Sequence, residues 1–223
     1  ISEDEIAYLC RVASGYFKKP IVPRDVVWSY SGVRPLMDEG GGSAQEATRD
    51  YVLELEGQDG AAPLLNVFGG KITTFRKLAQ EAGDLLCSAM AVHKPSVTSA
   101  QFLPGGDFKD YINASGQPVA DFNGFVAELA RRYPWLPDRL RHRYARAYGS
   151  RINYIIDKAV SLDQLGEEIA PQFYAAEAHY LQQHEWAHTA QDMLWRRSKL
   201  GLHMSEAERE KVANWCDKEA NKA

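Results

Sequence analysis

A short apolar run that ends at paired glycines constrains this chain more than any other feature. Residues 64–68 read as a strand, Gly69 and Gly70 follow, and a helix is predicted from about Thr73 onward. Glycine lets backbone approach a bound group closely, because it has no Cβ atom. A helix beginning there directs free N–H groups and a positive dipole end at the same point. Lys71 adds a full charge, so the turn predicts a site for an anionic or electron-rich group; an ordinary structural turn is the alternative.

Two common phosphate-binding motifs do not fit this turn. A P-loop has the pattern G-x-x-x-x-G-K-[ST], whereas Leu65 stands in place of its first glycine and Ile72 follows the lysine. The Rossmann fingerprint G-x-G-x-x-G does not occur in the chain. The turn therefore belongs to neither motif.

Cations lie at element ends in the first third of the chain. Arg34 follows a predicted strand, Arg49 begins another, and Arg76 lies one turn into the helix. Charges at element ends can converge on one rim, where the planar fork of arginine suits phosphate oxygens. Scattered surface cations are the alternative interpretation.

The first part of the chain, 1–95, reads as α+β. A capping box at Ser2 and Glu5 opens a predicted helix. Alternating apolar residues then predict about three antiparallel strands, at 25–33, 49–56 and 64–68. Asp59 and Gly60 form a hairpin turn signal between the last two strands.

The second part of the chain reads as all-α. Residues 96–104 are rich in proline and glycine and predict a linker. Residues 105–223 show helical periods only, with capping boxes that begin at Thr189 and Ser205. The predicted fold is therefore an α+β part followed by a helical C-terminal domain.

Composition excludes several classes of protein. A hydrophobic fraction of 45% is typical of globular chains, and no run approaches the roughly 18 apolar residues of a membrane helix. The net charge of −4 gives no drive toward nucleic acid. The 3 cysteines are isolated and predict buried thiols in a reducing compartment. The chain begins with Ile1 and shows no signal peptide, which predicts a piece of a longer protein.

A metal-binding pattern offers one alternative function. His184, Glu185 and His188 match H-E-x-x-H, which places two imidazoles one helical turn apart on zinc with the glutamate as base. Thr189 is predicted to cap a new helix, so the motif helix would stop at His188 and a third ligand would have to fold back. We prefer a surface helix end to a zinc hydrolase and expect no metal.

Basic clusters among aromatic residues offer another alternative. They lie at 131–132, 139–146 and 196–199 and are typical of nucleic-acid binding. The acidic balance of the chain favours solvated helix faces or a surface between domains, so no nucleic-acid partner is expected. A helical binding module with a partner at the 131–146 face is the main alternative to an enzyme.

Several stretches resemble FAD-dependent (aerobic, respiratory) glycerol-3-phosphate dehydrogenase, in its C-terminal half. In the α+β part the resemblance lies in V-V-W-S-Y-S-G-V-R-P-L (26–36), T-R-D-Y (48–51) and F-G-G-K-I-T-T-F-R (68–76). In the helical part it lies in L-P-G-G (103–106), R-Y-P (132–134), Y-G-S (148–150) and W-R-R-S-K-L-G (195–201). The resemblance covers essentially the whole chain.

This resemblance implies a reaction and a fold. The family enzyme oxidises glycerol 3-phosphate to dihydroxyacetone phosphate, and its FAD passes the electrons to membrane quinone. Residues 1–95 would then supply part of an antiparallel substrate-binding cap and an FAD-contacting helix, followed by the all-α C-terminal domain. The resemblance further implies peripheral attachment to the inner, cytoplasmic face of the cytoplasmic membrane and is compatible with a homodimer.

The resemblance also implies roles for individual residues. Arg34, Arg49 and Lys71 are expected to hold the phosphate or glycerol oxygens of the substrate. The residues expected to meet the flavin ring are Gly70, Lys71, Ile72 and Thr73. The family's nucleotide-binding glycine motif and catalytic histidine have no counterpart in this chain. We therefore expect no catalytic base within it, no FAD bound to the chain alone, and no turnover.

Overall fold

The computed structural model describes residues 1–33, 50–57 and 60–221. The chain divides into two compact units, Ile1–Gln101 and Phe102–Ala223. Within the described residues the first unit holds two helices and a hairpin, and the second is mostly helical with a second small hairpin. The domain limits drawn from the sequence stay a prediction.

The first helix, α1 (Glu3–Ser14), begins where its capping box predicts. Glu5 N–H donates to the Ser2 hydroxyl at 3.2 Å, and the Glu5 carboxylate accepts from Ser2 N–H at 2.7 Å. Two N–H groups that a helix start leaves unpaired are thus satisfied reciprocally. These hydrogen bonds from Ser2 also lower the pKa of Glu5.

The hairpin that leads into the glycine turn confirms the predicted pairing. Strand β1 (Tyr51–Glu56) runs antiparallel to β2 (Leu64–Gly69), with Tyr51 opposite Gly69. A turn of 3₁₀ helix (Ile72–Thr74) then enters α2 (Phe75–Ala89). Asp59, half of the predicted turn signal, lies outside the described residues.

The strand predicted over 25–33 is wrong. Pro23–Asp25 forms a 3₁₀ turn, and 26–33 forms neither helix nor strand. A strand needs the backbone groups of a neighbour, and in the part of the chain that the structure describes no strand pairs with this segment. Two residues predicted to share a strand face are nevertheless in contact: the rings of Trp28 and Tyr30 stack with centroids 5.1 Å apart.

The first unit buries little of its apolar surface. Cys10 is the only buried hydrophobic residue among its described positions. Large apolar side chains stand in solvent on α1, on the hairpin and at the start of α2; examples are Tyr8, Leu9, Val67, Ile72 and Phe75. The amphipathic patterns found in the sequence are real, but their apolar faces are uncovered in this unit.

The second unit is built from short helices around a continuous core. The helices are α3 (Pro118–Arg132), α4 (Asp138–Tyr148), α5 (Ile152–Ile156), α6 (Ala175–Glu185), a π-helix (Asp192–Arg197) and α7 (Glu206–Ala220). The core draws its largest side chains from several of them, including Phe125, Tyr144, Ile152, Tyr180 and Met193. All residues of this core cluster lie in the second unit, as expected for a unit with a hydrophobic core of its own.

Two of the predicted helix starts in this unit are confirmed by their hydrogen bonds. Asp192 N–H donates to the Thr189 hydroxyl at 3.1 Å, and the Asp192 carboxylate accepts from Thr189 N–H at 3.0 Å. The helix that follows is a π-helix rather than an α-helix. Ser205 and Glu208 form the second reciprocal pair, at the start of α7.

The prediction that this part is all-α is wrong in one element. Strand β3 (Glu168–Ala170) pairs antiparallel with β4 (Phe173–Tyr174). Gln172 turns the chain with a positive φ of 60°, and its N–H donates to the Glu168 carboxylate at 2.7 Å. Strands this short are set by their turn and by packing, so they carry no alternating pattern for sequence analysis to detect.

A buried ion pair joins three elements of the helical unit. The Glu177 carboxylate on α6 is completely buried and accepts from both terminal nitrogens of Arg143 on α4, at 2.5 and 2.6 Å. Tyr148 donates to the same carboxylate at 2.5 Å. Arg143 also donates to the Gln172 carbonyl in the β3–β4 turn, at 2.6 Å. Burial and the adjacent carboxylate raise the pKa of Tyr148 well above its usual value.

Two glycines bring the start of this unit against the end of α4. Gly149 has φ +55°, and a Cβ atom there would lie 2.0 Å from the carbonyl oxygen of Gly105. That carbonyl accepts from Ser150 N–H at 3.0 Å. Glycine is therefore required on both sides of this backbone contact.

We expect Gly149→Ala to lower the free energy of unfolding by about 2 kcal/mol or more, because the new Cβ meets backbone and φ is unfavourable. Gly124→Ala is the matched control. Gly124 lies inside α3, and its Cβ would have ordinary contacts of 3.7 Å to Ile112. This change should raise stability by about 0.5–1 kcal/mol. Urea unfolding of the chain measures both; equal midpoints would contradict the tight Gly105–Gly149 contact.

Removing the charge of Glu177 should destabilise the helical unit strongly. Glu177→Gln leaves Arg143 without its counter-charge in a buried setting, a change that typically costs about 3–5 kcal/mol. Glu167→Gln is the control, since Glu167 is exposed and its substitution should change stability by no more than about 0.5 kcal/mol. Tryptophan fluorescence in urea gives both values. A loss below about 1 kcal/mol at Glu177 would show that the pair does not hold the unit together.

Candidate functional site

The glycine turn has a backbone that few residues other than glycine adopt. Gly69 and Gly70 have φ of +70° and +99°. Lys71 then returns to extended backbone and leads into the 3₁₀ turn before α2. The strand, glycine turn and helix start predicted from the sequence are thus present in the structure.

The side of Gly70 that a Cβ would occupy faces the hairpin and the helix. A Cβ there would lie 3.3 Å from Tyr51 Cβ and 3.5 Å from Leu78 Cδ1. Tyr51 also donates to the Glu81 carboxylate on α2 at 2.6 Å. This hydrogen bond raises the pKa of Tyr51 and lowers that of Glu81. The turn is therefore fixed from behind, by packing and by a clamp between β1 and α2.

The start of α2 has no side-chain cap. The Thr74 hydroxyl donates to the Lys71 carbonyl at 2.9 Å instead of accepting from the N–H groups of the first turn. Thr74 N–H and Phe75 N–H bond back to the carbonyls of Lys71 and Ile72. The positive end of the helix dipole carries no acidic residue in its first turn. Beside it, Ile72 is 89% exposed, so the turn presents backbone and an apolar side chain together.

Lys71 forms an exposed ion pair. Its ammonium lies 3.4 Å from the Asp50 carboxylate, with the two side chains 47% and 82% exposed. Pairs of this kind contribute little to stability, because solvent screens them. Lys71 can therefore exchange Asp50 for an incoming anion at small cost.

Of the cations predicted to converge on this rim, only Lys71 and Arg76 lie within the described residues. Arg34 and Arg49 lie outside the described residues. Arg76 donates to Gln80 at 3.0 Å and to Thr98 at 3.3 Å, both with the same terminal nitrogen. The four residues expected to meet the flavin are consecutive and run from the glycine turn into the 3₁₀ turn: Gly70, Lys71, Ile72 and Thr73. Their roles stay predictions.

Sequence reasoning missed the residues that support this turn. The sequence analysis places Tyr51 only within a predicted strand, and it gives no role to Asp50 or Glu81. No local sequence pattern reveals the Tyr51–Glu81 hydrogen bond, since the two residues lie 30 positions apart. Only the packing of α2 on the hairpin brings them together.

The H-E-x-x-H pattern does not form a helical zinc site. Helix α6 ends at Glu185, earlier than the predicted end at His188, and Trp186 has left-handed backbone with φ 53° and ψ 34°. His184 and His188 therefore do not share a helix face. The Glu185 carboxylate accepts from the Tyr180 hydroxyl at 2.9 Å. Among the described residues no group of three potential ligands could hold a metal ion.

Many cations of the basic clusters are paired with carboxylates. Arg131 and Arg132 both donate to Glu128, at 2.7–2.8 and 2.6 Å, and these hydrogen bonds lower the pKa of Glu128 to about 2. Arg196 donates to Asp192 at 2.8 Å. Charges neutralised in this way do not form the unpaired basic stripe of a nucleic-acid surface.

The helical part of the chain identifies the class of protein. Residues 96–222 match the family model described as the C-terminal domain of alpha-glycerophosphate oxidase. The chain belongs to this family. Across residues 1–33, 50–57 and 60–221, no helix is long and apolar enough to cross a membrane.

Curated relatives extend the match over nearly the whole chain. Aerobic glycerol-3-phosphate dehydrogenase of Escherichia coli (strain K12) is 42% identical over 96% of this chain. D-erythritol 1-phosphate dehydrogenase of Brucella abortus (strain 2308) is 43% identical over 96%, and glycerol-3-phosphate dehydrogenase of Pseudomonas aeruginosa is 40% identical over 98%. The chain spans 41% of the length of each. The resemblance found in the sequence is confirmed.

Proposed function

We propose that this chain is the C-terminal part of an FAD-dependent enzyme that oxidises glycerol 3-phosphate to dihydroxyacetone phosphate and passes the electrons to quinone. The observation that carries the proposal is the 42% identity to a glycerol-3-phosphate dehydrogenase over 96% of the chain. Bound FAD would supply the hydride acceptor, and the remainder of the enzyme would supply the dinucleotide site and the catalytic base.

The glycine turn fits the edge of a flavin ring. Gly69 and Gly70 give the turn its left-handed backbone, and Ile72 offers an exposed apolar contact to a flat ring. The start of α2 has no side-chain cap. Negative charge develops on the flavin when it accepts a hydride, and a helix N-terminus stabilises such charge. Residues 70–73 would therefore hold the ring and favour its reduced form.

Lys71 would hold the substrate's phosphate or glycerol oxygens together with Arg34 and Arg49. Its present partner, Asp50, is 82% exposed, so the pair can open for a more highly charged phosphate. Arginine forks and a lysine ammonium together match the oxygens of a phosphate group. The antiparallel substrate-binding cap would be formed by β1, β2 and further strands of the whole enzyme.

The uncovered apolar face of the first unit supports a role as part of a larger domain. Tyr8, Leu9 and Val67 are each close to half-exposed, although apolar side chains on one helix face normally pack against another element. We propose that residues beyond this chain cover them in the complete enzyme. Peripheral association with the inner face of the cytoplasmic membrane, and a homodimer, belong to the same proposal.

D-erythritol 1-phosphate is a second candidate substrate. The relative named for that substrate is 43% identical to this chain, against 42% for the glycerol-3-phosphate enzyme, so identity does not separate the two. Both substrates present a phosphate on a polyol, and Lys71 would serve either one. Assays of the whole enzyme with each substrate decide between them: a higher kcat/KM with D-erythritol 1-phosphate would overturn the glycerol 3-phosphate assignment.

The purified chain should be colourless and inactive by itself. The reason is that it holds only residues 70–73 of the proposed flavin contacts and no catalytic base. An absorbance scan from 350 to 500 nm, roughly the flavin region, and dye reduction with glycerol 3-phosphate measure this. A yellow preparation that turns over substrate would contradict the proposed division of the site.

In the whole enzyme, Lys71→Ala should lower kcat/KM about ten- to a few-hundredfold, since a charge-assisted contact is worth about 1.5–3 kcal/mol. Arg34→Ala should do the same and leave flavin content nearly unchanged. Lys71→Arg should restore activity only in part, because a fork does not replace a compact ammonium. Lys94→Ala, at an exposed position, is the matched control. Values near wild type for Lys71→Ala and Arg34→Ala would show that these cations are ordinary surface charges.

A further inference from the structure

A pocket in the helical unit has a composition that neither the flavin nor the substrate accounts for. Its volume is about 460 Å³, within the range of sites for small molecules. It is lined by α4 and the turn that follows it, by α6 and the residue after its end, and by the π-helix; the lining includes Tyr148, Arg151, Tyr180, His184, Trp186 and Arg197. We propose that this pocket binds a small organic phosphate that carries a planar ring.

Two guanidinium groups in this pocket are anchored but keep donors free. Arg151 Nε donates to the Tyr180 hydroxyl at 2.6 Å, and Arg197 Nε donates to the Glu185 carbonyl at 2.6 Å. Among the described residues the terminal nitrogens of both arginines have no hydrogen-bond or ion-pair partner. Tyr180 in turn donates to the Glu185 carboxylate at 2.9 Å. Both guanidiniums are therefore held at the same end of α6, with unused N–H groups beside the pocket.

The charge balance of the pocket favours an anion. Arg151 and Arg197 carry two positive charges, and Glu185 is the one acidic side chain in the lining. One oxygen of that carboxylate accepts a hydrogen bond from Tyr180. Five other arginines of the unit have carboxylate partners: Arg131, Arg132, Arg141, Arg143 and Arg196. Two planar forks match the several oxygens of a phosphate better than those of a single carboxylate.

Trp186 gives the pocket a flat apolar surface, although its backbone conformation is unfavourable. It has left-handed backbone, a conformation unfavourable for residues with a Cβ, and glycine is the usual residue just after a helix end. No burial offsets the strain, because the side chain is 78% exposed. The position thus places an exposed indole in the lining of the pocket, where a ligand ring can stack on it.

Packing holds the remaining walls in place. The His184 ring lies 5.2 Å from the Tyr180 ring, and the Tyr180 side chain is 2% exposed. The Gly105–Gly149 contact fixes the preceding Pro104, which also lines the pocket. A site with rigid walls loses little entropy when it binds a ligand.

Titration of the chain with phenyl phosphate, followed by tryptophan fluorescence and calorimetry, tests the proposal. We expect saturable binding with a Kd of about 1 mM or tighter for a ligand of this size. Inorganic phosphate and benzyl alcohol should each bind more weakly, because each lacks one of the two recognised groups. Benzoate separates a phosphate site from a carboxylate site. Absence of saturable binding, or equal affinity for benzoate and phenyl phosphate, would overturn the proposal.

Substitutions inside and outside the pocket show whether phenyl phosphate binds there. Arg197→Gln should weaken phenyl phosphate binding about tenfold or more, whereas Arg139→Gln, an equal charge change at an exposed residue outside the pocket, should leave it unchanged. Trp186→Gly should weaken binding about fivefold or more through lost stacking, with Tm equal or higher because glycine suits the left-handed position. Equal Kd values for Arg197→Gln and Arg139→Gln would overturn the proposal. These measurements need no flavin, so they are independent of the proposed dehydrogenase function.

Discussion

The organisation of the helical unit depends on one buried charge, the carboxylate of Glu177. It is completely buried, and a carboxylate in such a place is tolerated only when charged and polar groups surround it. Arg143 and Tyr148 provide three hydrogen bonds, and Arg143 extends the network to the Gln172 carbonyl. The contacts that satisfy this carboxylate therefore tie helices α4 and α6 and the β3–β4 turn to one another.

The position of the pocket follows from this arrangement. Tyr148 ends α4 and lines the pocket, and its hydroxyl is tied to Glu177. Tyr180, one turn further along α6, holds Arg151 by its hydroxyl and packs its ring 5.1 Å from that of Tyr148. The two helices that surround the buried carboxylate, α4 and α6, therefore also position the pocket residues Arg151 and Trp186. The residues that stabilise the helical unit thus also shape the pocket proposed to bind a ligand.

The two units differ in how far their sequences can specify a fold. Apolar stripes in the second unit meet one another and close a core around side chains such as Phe125 and Tyr180. Equally clear stripes in the first unit remain exposed, as at Leu9 and Ile72. Hydrophobic burial is the main favourable term in folding. The first unit therefore carries patterns whose partners belong to the larger assembly proposed for it.

Sequence by itself determined the local elements: the cap at Ser2, the β1–β2 hairpin, and the glycine turn before α2 all form where residue chemistry within a few positions predicts them. It also determined the family. Tertiary structure alone decided the ion pair of Glu177, the Tyr51–Glu81 clamp and the end of α6 at Glu185, which separates the two histidines of an apparent metal motif. The physical reason is range: caps and turns are satisfied by neighbours in the chain, whereas a buried charge is satisfied by groups that only packing brings near.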